Sequence, residues 1–201
     1  MKRFVVGVTG ASGIPYAQSL VRALMGHPEV ERIHLVISGY GFQAIREELN
    51  LSGGDDQCVE AIVGRETGKV LSHSPTDMTA PVSSGSYPVD AMIVIPCSMG
   101  TVGAIASGSV THLVHRAAEV CLKEQRPLIL AVRETPMHTG HLENLLKVAR
   151  WGAQIFPICP AFYHHPRSIQ DLIDQFNARI LDHLGLPHRL GVRWKESASG
   201  S

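Results

Sequence analysis

The sequence predicts an α/β protein with three layers, in which a doubly wound parallel sheet lies between two layers of helices. Two apolar runs, 91–95 and Leu128–Val132, have the continuous hydrophobicity of strands that are buried on both faces. The other short apolar runs alternate with amphipathic stretches of helical period, the clearest at 168–184. Because parallel strands need a crossover that is usually a helix, this alternation favours a parallel sheet.

The elements follow from the same periodicities and from their turn residues. The sequence predicts strands at 3–8, 33–37, 91–95, 127–132 and 154–156. Helices are predicted from the glycine turn at 9–13 to about residue 25, at 41–49, in one or two pieces up to 124, and at 141–151 and 168–184. The stretch 59–88 is the least regular, and we expect there a short helix, a strand near 69–71 and a Ser/Pro-rich loop.

Length, charge and hydropathy restrict the class of protein. The chain has 201 residues, 44% of them hydrophobic, which suits one domain over 1–194 with a sizeable core, followed by a disordered polar tail at 195–201. Lys plus Arg and Asp plus Glu both total 18 without a basic run, so we expect no nucleic-acid partner. No apolar stretch approaches a membrane span, and Met1-Lys2-Arg3 leads directly into a strand. We therefore expect a cytoplasmic protein that does not enter a membrane.

Polar clusters follow the two most apolar strands at the point where each one ends. Residues 97–101 read Cys-Ser-Met-Gly-Thr, and residues 133–135 read Arg-Glu-Thr. In open α/β sheets, ligands bind outside the carboxyl ends of the strands. The sequence therefore predicts a small-molecule site that contains hydroxyls, a guanidinium and a carboxylate.

A glycine-rich turn follows the first strand and opens the first helix. Gly7, Gly10 and Gly13 allow close approach of the backbone to a phosphate, although a tight turn without a ligand remains an alternative. NAD is disfavoured because the second strand ends in Ser38, where an acidic residue usually binds the ribose. No tyrosine is followed four residues later by the lysine of short-chain dehydrogenases. The hydroxyls at strand ends suit the phosphate of FMN better: Ser12, Ser38, Ser98 and Thr101.

Cysteines and histidines are numerous but not spaced as metal ligands. The four cysteines show no CxxC motif, and we interpret them as small buried hydrophobes, with a nucleophilic role for Cys97 disfavoured. His138 and His141 are three residues apart without a third partner. The sequence therefore predicts no metal site.

Seven segments in order resemble one known family. They read GVTGASG, HLVIS, SSGSYPVDAMIVIPCSMGT, RAAEVCLKEQRPLILAVRETP, HLENLL, PAFYHHP and ARILDHLGL. This combination resembles the UbiX/Pad flavin prenyltransferases. The resemblance implies a Rossmann-like or flavodoxin-like flavoprotein domain that joins the dimethylallyl group of dimethylallyl phosphate to N5 and C6 of reduced FMN, without a metal. It further implies that the product, prenylated FMN, serves a UbiD-type decarboxylase and that the chain forms a homo-oligomer, often a dodecamer.

The resemblance also assigns residues. It places FMN against Gly10, Ala11, Ser12, Ser38, Ser98, Met99, Gly100, Thr101 and Arg133. It places the phosphate of the donor against Arg116, Lys123, Tyr163 and Arg179. It assigns catalysis to Ser12, Glu48, Lys123 and Glu134. In this reaction Glu134 would transfer a proton, and fixed cations would stabilise the leaving phosphate.

Some positions depart from the family, and two other functions remain open. Many relatives have Lys at Gly100, some have Trp at Met78, and Thr111-His112 replaces the usual Asn or Asp-Gly. One alternative is an FMN-dependent cysteine decarboxylase, but these carry PASANT where this chain has PCSMGT, and a PxMNxxM segment that is missing here. The other alternative is an accessory subunit that binds FMN without catalysis.

Overall fold

The computed structural model describes residues 1–64 and 68–193, and the predicted tail at 195–201 lies outside them. Its strands are β1 Lys2–Val8, β2 Val30–Ile37, β3 Val70–His73, β4 Ala91–Cys97, β5 Leu128–Val132 and β6 Ala153–Pro157. Its helices are α1 Ile14–Gly26, α2 Gly39–Glu48, α3 Asp55–Val63, α4 Met99–Ser107, α5 Leu113–Lys123, α6 Thr139–Arg150 and α7 Ile169–His183, with a 3₁₀ turn at Pro81–Ser83.

The six strands form one parallel sheet in the order β3-β2-β1-β4-β5-β6. The predicted fold class, an α/β doubly wound parallel sheet, is confirmed, and the strand order is that of the Rossmann fold. The chain moves outward in one direction from β1 to β3 and then returns to the other side of β1 with β4. Ligand crevices form where the order reverses, so the carboxyl ends of β1 and β4 mark the expected binding region.

Burial explains why the sequence identified β4 and β5 clearly and the edge strand β3 only approximately. Every residue of β4 and β5 is buried, as their continuous apolar sequences predict. By contrast β3 is an edge strand with the sequence Val-Leu-Ser-His, of which only Val70 is buried. An edge strand is covered on fewer sides, so its sequence carries a weaker hydrophobic signal.

Helices pack on both faces of the sheet in the part up to Ile158. Val5, Val36 and Met92 share a buried cluster with residues of α4 and α5. A Cβ at Gly7 would lie 3.1 Å from Val114 of α5, which shows how closely that helix approaches β1. Helix α1 packs with α2 and α3 and contacts β1, β2 and β4.

The chain divides into two compact units, one from Met1 to Ile158 and one from Cys159 onward. The first unit contains the whole sheet, and the second contains α7 and the segment that follows it. That residues 1–194 act as a single domain stays a prediction. Among the described residues, no helix combines the length and the apolar character needed to cross a membrane.

Candidate active site

Thr9 links the carboxyl ends of β1 and β4 at the point where the strand order reverses. Its hydroxyl donates to the carbonyl of Pro96 at 2.9 Å and accepts the backbone N–H of Ser98 at 2.9 Å. The side chain is buried, with 1% exposure. Thr9 therefore fixes the spacing of the two strand ends on which the predicted hydroxyl residues stand.

A cavity of about 560 Å³ opens above these strand ends. Ser38 begins α2 and accepts the N–H of Gly41, while Ser98 begins α4 and accepts the N–H of Thr101. The starts of two helices thus face one cavity, and helix N-termini favour anions because their first N–H groups lack partners within the helix. The cavity is lined by Gly10, Ser38, Gly39, Tyr40, Gln43, Ser98, Gly100, Thr101, Thr111, His112 and His115.

The backbone after β1 comes closer to α2 than a side chain would allow. A Cβ at Gly10 would lie only 2.4 Å from Cβ of Tyr40. Gly13 has a φ of 124°, which L-residues rarely adopt. The glycine turn is therefore needed both for close packing on α2 and for its own conformation.

A second cavity of about 310 Å³ shares Gly10, Tyr40 and Gln43 with the first. It is also lined by Ala11, Ser12, Ala44, Glu47, Glu48 and Arg133. Arg133 follows β5, and its buried Nε has no hydrogen-bond partner among the described residues. A buried donor that lacks a partner is costly, so a ligand that accepts from Arg133 would be bound favourably.

The amides at the start of α1 are already occupied. The carboxylate of Glu48 accepts the N–H of Gly13 at 2.9 Å and the N–H of Ile14 at 2.9 Å. The sequence left open whether a phosphate approaches this turn, and at Gly13 and Ile14 the chain supplies its own anion. The helix starts that line the large cavity are those of α2 and α4.

The predicted donor-phosphate residues on α5 lie outside both cavities. Nε of Arg116 donates to the carbonyl of Ser83, and Nζ of Lys123 would lie 2.6 Å from a Cβ at Gly85. Arg116 and Lys123 are seven residues apart, about two turns of one helix, and both side chains reach the segment 83–85. Lys123 also lines a separate cavity of about 240 Å³ with Glu119 and Trp151.

Tyr163 and Arg179 belong to the second unit. The hydroxyl oxygen of Tyr163 accepts from Gln175 at 3.0 Å, and Arg179 pairs with Asp182 at 2.8 Å. Both side chains are largely exposed. These two predicted phosphate ligands thus each have a polar partner on α7.

Two further predicted site residues, Glu134 and Met99, are not among the residues that line the two adjoining cavities. Glu134 is partly exposed next to Arg133, and its carboxylate accepts the N–H of Thr135 at 3.0 Å. The side chain of Met99 is buried in the hydrophobic cluster and does not line either of the two adjoining cavities. Contact between Met99 and a ligand in the large cavity would therefore be through its backbone at the start of α4.

Residues that the sequence analysis did not single out as site residues also line the large cavity. The rings of His112 and His115 stack with centroids 3.7 Å apart, and Nδ1 of His115 is 3.1 Å from the hydroxyl of Thr111. Tyr40 directly follows the strand-end residues Ser38 and Gly39, which was the one available signal. His112 had been noted only as part of a departure from the family, and His115 carried no signal, because only the tertiary structure brings the start of α5 to this cavity.

Burial keeps the cavity wall uncharged. It lowers the pKa of His115 to about 4, with a smaller contribution from His112, whose own pKa is lowered by burial. Burial also raises the pKa of the Cys97 thiol, which argues against a thiolate nucleophile there. The described residues contain no group of three or more His, Cys, Asp or Glu side chains that could bind a metal ion.

Known proteins resemble this chain over nearly its whole length. A family model described as Flavoprotein matches residues 1–180. The flavin prenyltransferase UbiX of Halalkalibacterium halodurans is 43% identical over 194 residues, 96% of this chain and 93% of that protein. The crystal structure of AnUbiX (PadA1) in complex with FMN and dimethylallyl pyrophosphate has a TM-score of 0.85 and 44% identity, covering 96% of this chain and 97% of that one. A dodecameric FMN-dependent UbiX-like decarboxylase from Escherichia coli O157:H7 has a TM-score of 0.83 and 42% identity, covering 96% and 98%.

Proposed function

The chain belongs to the Flavoprotein family and, within it, to the UbiX flavin prenyltransferases, and we propose that it transfers a dimethylallyl group from dimethylallyl phosphate to N5 and C6 of reduced FMN. In this reaction the C–O bond of the donor breaks and phosphate leaves. The donor bound in the related AnUbiX structure is the pyrophosphate, so the monophosphate is the more specific part of the proposal. The observation that carries the proposal is the pair of adjoining cavities at the β1–β4 switch point.

The side chains at this point fit FMN. Ser38, Ser98 and Thr101 offer hydroxyls and helix-start amides for the phosphate, and the glycine at position 10 leaves room beside Tyr40. The Nε of Arg133 supplies a buried donor that lacks a partner among the described residues. When bound, reduced FMN supplies the nucleophilic nitrogen and ring carbon.

We assign the leaving phosphate to Arg116, Lys123, Tyr163 and Arg179. Fixed cations stabilise the charge that develops on phosphate as the C–O bond breaks, and they act most strongly where water is excluded. Arg116 and Lys123 do not line the cavities around Gly10 in their own chain, and the side chain of Lys123 is 48% exposed. They would therefore reach the phosphate of a second copy, which agrees with the dodecameric assembly of the Escherichia coli relative.

Mixed oligomers test this arrangement. A Lys123→Ala chain and an Arg133→Ala chain should each be inactive alone. Co-refolded together they should regain part of the activity, because some sites would combine an intact Arg133 with an intact Lys123 of a neighbour. No recovery from a mixture shown to contain both chains in one oligomer would contradict a shared site.

Proton transfer is assigned to Glu134 and Ser12, of which Ser12 lines the smaller cavity and Glu134 directly follows Arg133 of that lining. Glu134 would accept the proton that leaves the flavin ring as the second bond forms, or donate one to the departing phosphate. Glu48 instead holds the amides of Gly13 and Ile14, so its direct role is to fix the turn that carries Ser12. The product, prenylated FMN, would be passed to a UbiD-type decarboxylase.

The direct experiment is anaerobic incubation with reduced FMN and dimethylallyl phosphate, followed by release of the flavin and measurement of its mass. We expect the mass to increase by one C₅H₈ unit. Parallel reactions with the pyrophosphate and without a donor define donor choice and background. Bound flavin of unchanged mass with either donor would exclude prenyl transfer and favour an FMN-binding accessory protein.

A further inference from the structure

Tyr40 lies in the first turn of α2, where the two adjoining cavities meet. Together with Gly10 and Gln43 it lines both the cavity of about 560 Å³ and the cavity of about 310 Å³. Tyr40 is nevertheless 79% exposed, which is more than any other described tyrosine, tryptophan or phenylalanine. An aromatic ring that lines two cavities and is still so exposed lies at their open side.

The base of the Tyr40 side chain is held in place, whereas its ring has no partner. A Cβ at Gly10 would lie 2.4 Å from Cβ of Tyr40 and 3.3 Å from its carbonyl oxygen, so the turn after β1 packs directly on this residue. Within residues 1–64 and 68–193, the ring and hydroxyl of Tyr40 make no hydrogen bond and no aromatic contact. The fold thus presents a flat apolar surface at the cavities without covering it.

The two cavities that Tyr40 separates differ in their chemistry. The larger one contains Ser38 and Ser98, whose helix starts suit a phosphate. The smaller one contains Ser12 and Arg133, the residues assigned to the flavin ring and its proton transfer. A molecule of FMN with its phosphate in the first cavity and its ring toward the second must therefore pass Tyr40.

We propose that the ring of Tyr40 stacks on the isoalloxazine of bound FMN and shields it from water where the two cavities meet. This inference rests on the proposed function, which identifies the ligand as FMN. Aromatic rings attract one another in offset stacks, and the isoalloxazine is a large flat π-system that can use the exposed surface of Tyr40. Tyr40 is then a flavin-binding residue in addition to those that the family resemblance assigns.

The substitution Tyr40→Leu removes the aromatic surface and keeps the base of the side chain. Leucine retains the Cβ beside Gly10, and because the rest of the side chain is exposed, the Tm without FMN should stay within about 1 °C of wild type. Titration with oxidised FMN measures the affinity without any transfer reaction. We expect Tyr40→Leu to weaken FMN binding by about tenfold, the size of one stacking contact.

The substitution Tyr40→Phe tests the contact by fluorescence. A tyrosine ring in contact with an excited flavin donates an electron to it and shortens its fluorescence lifetime, whereas phenylalanine is too difficult to oxidise. Tyr40→Phe should therefore bind FMN within about twofold of wild type but lengthen the lifetime of the bound flavin severalfold. Tyr87→Phe is the matched control, because Tyr87 lines neither cavity and its hydroxyl is 3.1 Å from Nε2 of His34. Its FMN affinity and flavin lifetime should equal those of wild type.

Both measurements must agree for the stacking contact to stand. An FMN affinity of folded Tyr40→Leu within about twofold of wild type would overturn the proposal, and so would an unchanged flavin lifetime in Tyr40→Phe. If Tyr40→Leu does not fold, the lifetime in Tyr40→Phe decides alone. A smaller oligomer of Tyr40→Leu in sedimentation velocity, with an unchanged lifetime in Tyr40→Phe, would overturn the proposal by assigning Tyr40 to a contact between copies. The expected effects on FMN without prenyl transfer by the wild type would instead overturn the proposed function and leave the role of Tyr40 intact.

Discussion

Replacing Thr9 by valine tests whether the link between β1 and β4 supports the flavin site. Valine has nearly the same shape, so the change removes two hydrogen bonds of the hydroxyl without opening a large cavity. The carbonyl of Pro96 keeps the N–H of Thr9 at 3.2 Å, but the N–H of Ser98 loses its partner. The position is 1% exposed, so water cannot readily replace the hydroxyl.

The expected destabilisation follows from the hydrogen bonds that Thr9→Val removes. One buried N–H left without a partner, together with one weakened carbonyl, costs about 2–3 kcal/mol. In a chain of this length each kcal/mol lowers Tm by roughly 2–4 °C, so we expect Tm to fall by roughly 5–10 °C. FMN affinity should fall as well, because Ser98 begins the helix that faces the large cavity.

Thermal denaturation with and without FMN, and a flavin fluorescence titration, measure both effects. Thr76→Val is the matched control, because its hydroxyl is exposed and its bond to Ser74 can be replaced by water. If Thr9→Val melts within about 1 °C of wild type and binds FMN equally well, the link does not organise the site.

Three further perturbations follow from the same contacts. Gly10→Ala should weaken FMN binding and lower Tm, because the new Cβ would lie 2.4 Å from Cβ of Tyr40. FMN titration and thermal melting measure the two effects, and an unchanged FMN affinity would contradict the prediction. Glu134→Gln should bind FMN normally but lower kcat by about a hundredfold if the carboxyl transfers a proton, and turnover within about threefold of wild type would exclude that role. Burial, and then His73, lower the pKa of His34 to about 4, below the value of about 6.5 in the unfolded chain. Between these two pKa values the unfolded state binds more protons than the folded state, so the free energy of unfolding decreases as pH falls from about 6.5 to 4. His34→Leu should therefore flatten the fall in Tm between about pH 7 and 5. An unchanged slope of Tm against pH would contradict this.

The fold class, and the edge of the sheet that carries the candidate site, were predictable because they depend on local patterns. Continuous apolar runs such as Leu128–Val132 identify strands buried on both faces, and alternation with helices implies that these strands are parallel. Once the strands are parallel, the residues that follow them lie at one edge of the sheet. Ser38, Ser98 and Arg133 could therefore be assigned to one region before any coordinates were known.

Hydrogen bonding across the fold was not predictable, because its partners are far apart in sequence. Glu48 caps α1 across 35 residues from Gly13, so the N–H groups of Gly13 and Ile14 are not free for a phosphate. Thr9 reaches Pro96 and Ser98 across 87 and 89 residues. No periodicity or spacing in the sequence encodes such a pairing.

The sequence by itself determined the sheet, the chemical character of the residues at its carboxyl edge and, through seven family segments, the resemblance to flavin prenyltransferases. The tertiary structure decided which helix starts face the cavity, that His112 and His115 form its wall, and that Lys123 lies in a different cavity of the same chain. The physical reason is that hydrophobic periodicity is a local property of the chain. The direction of a polar side chain depends instead on which distant donors and acceptors the packed core brings within hydrogen-bond distance.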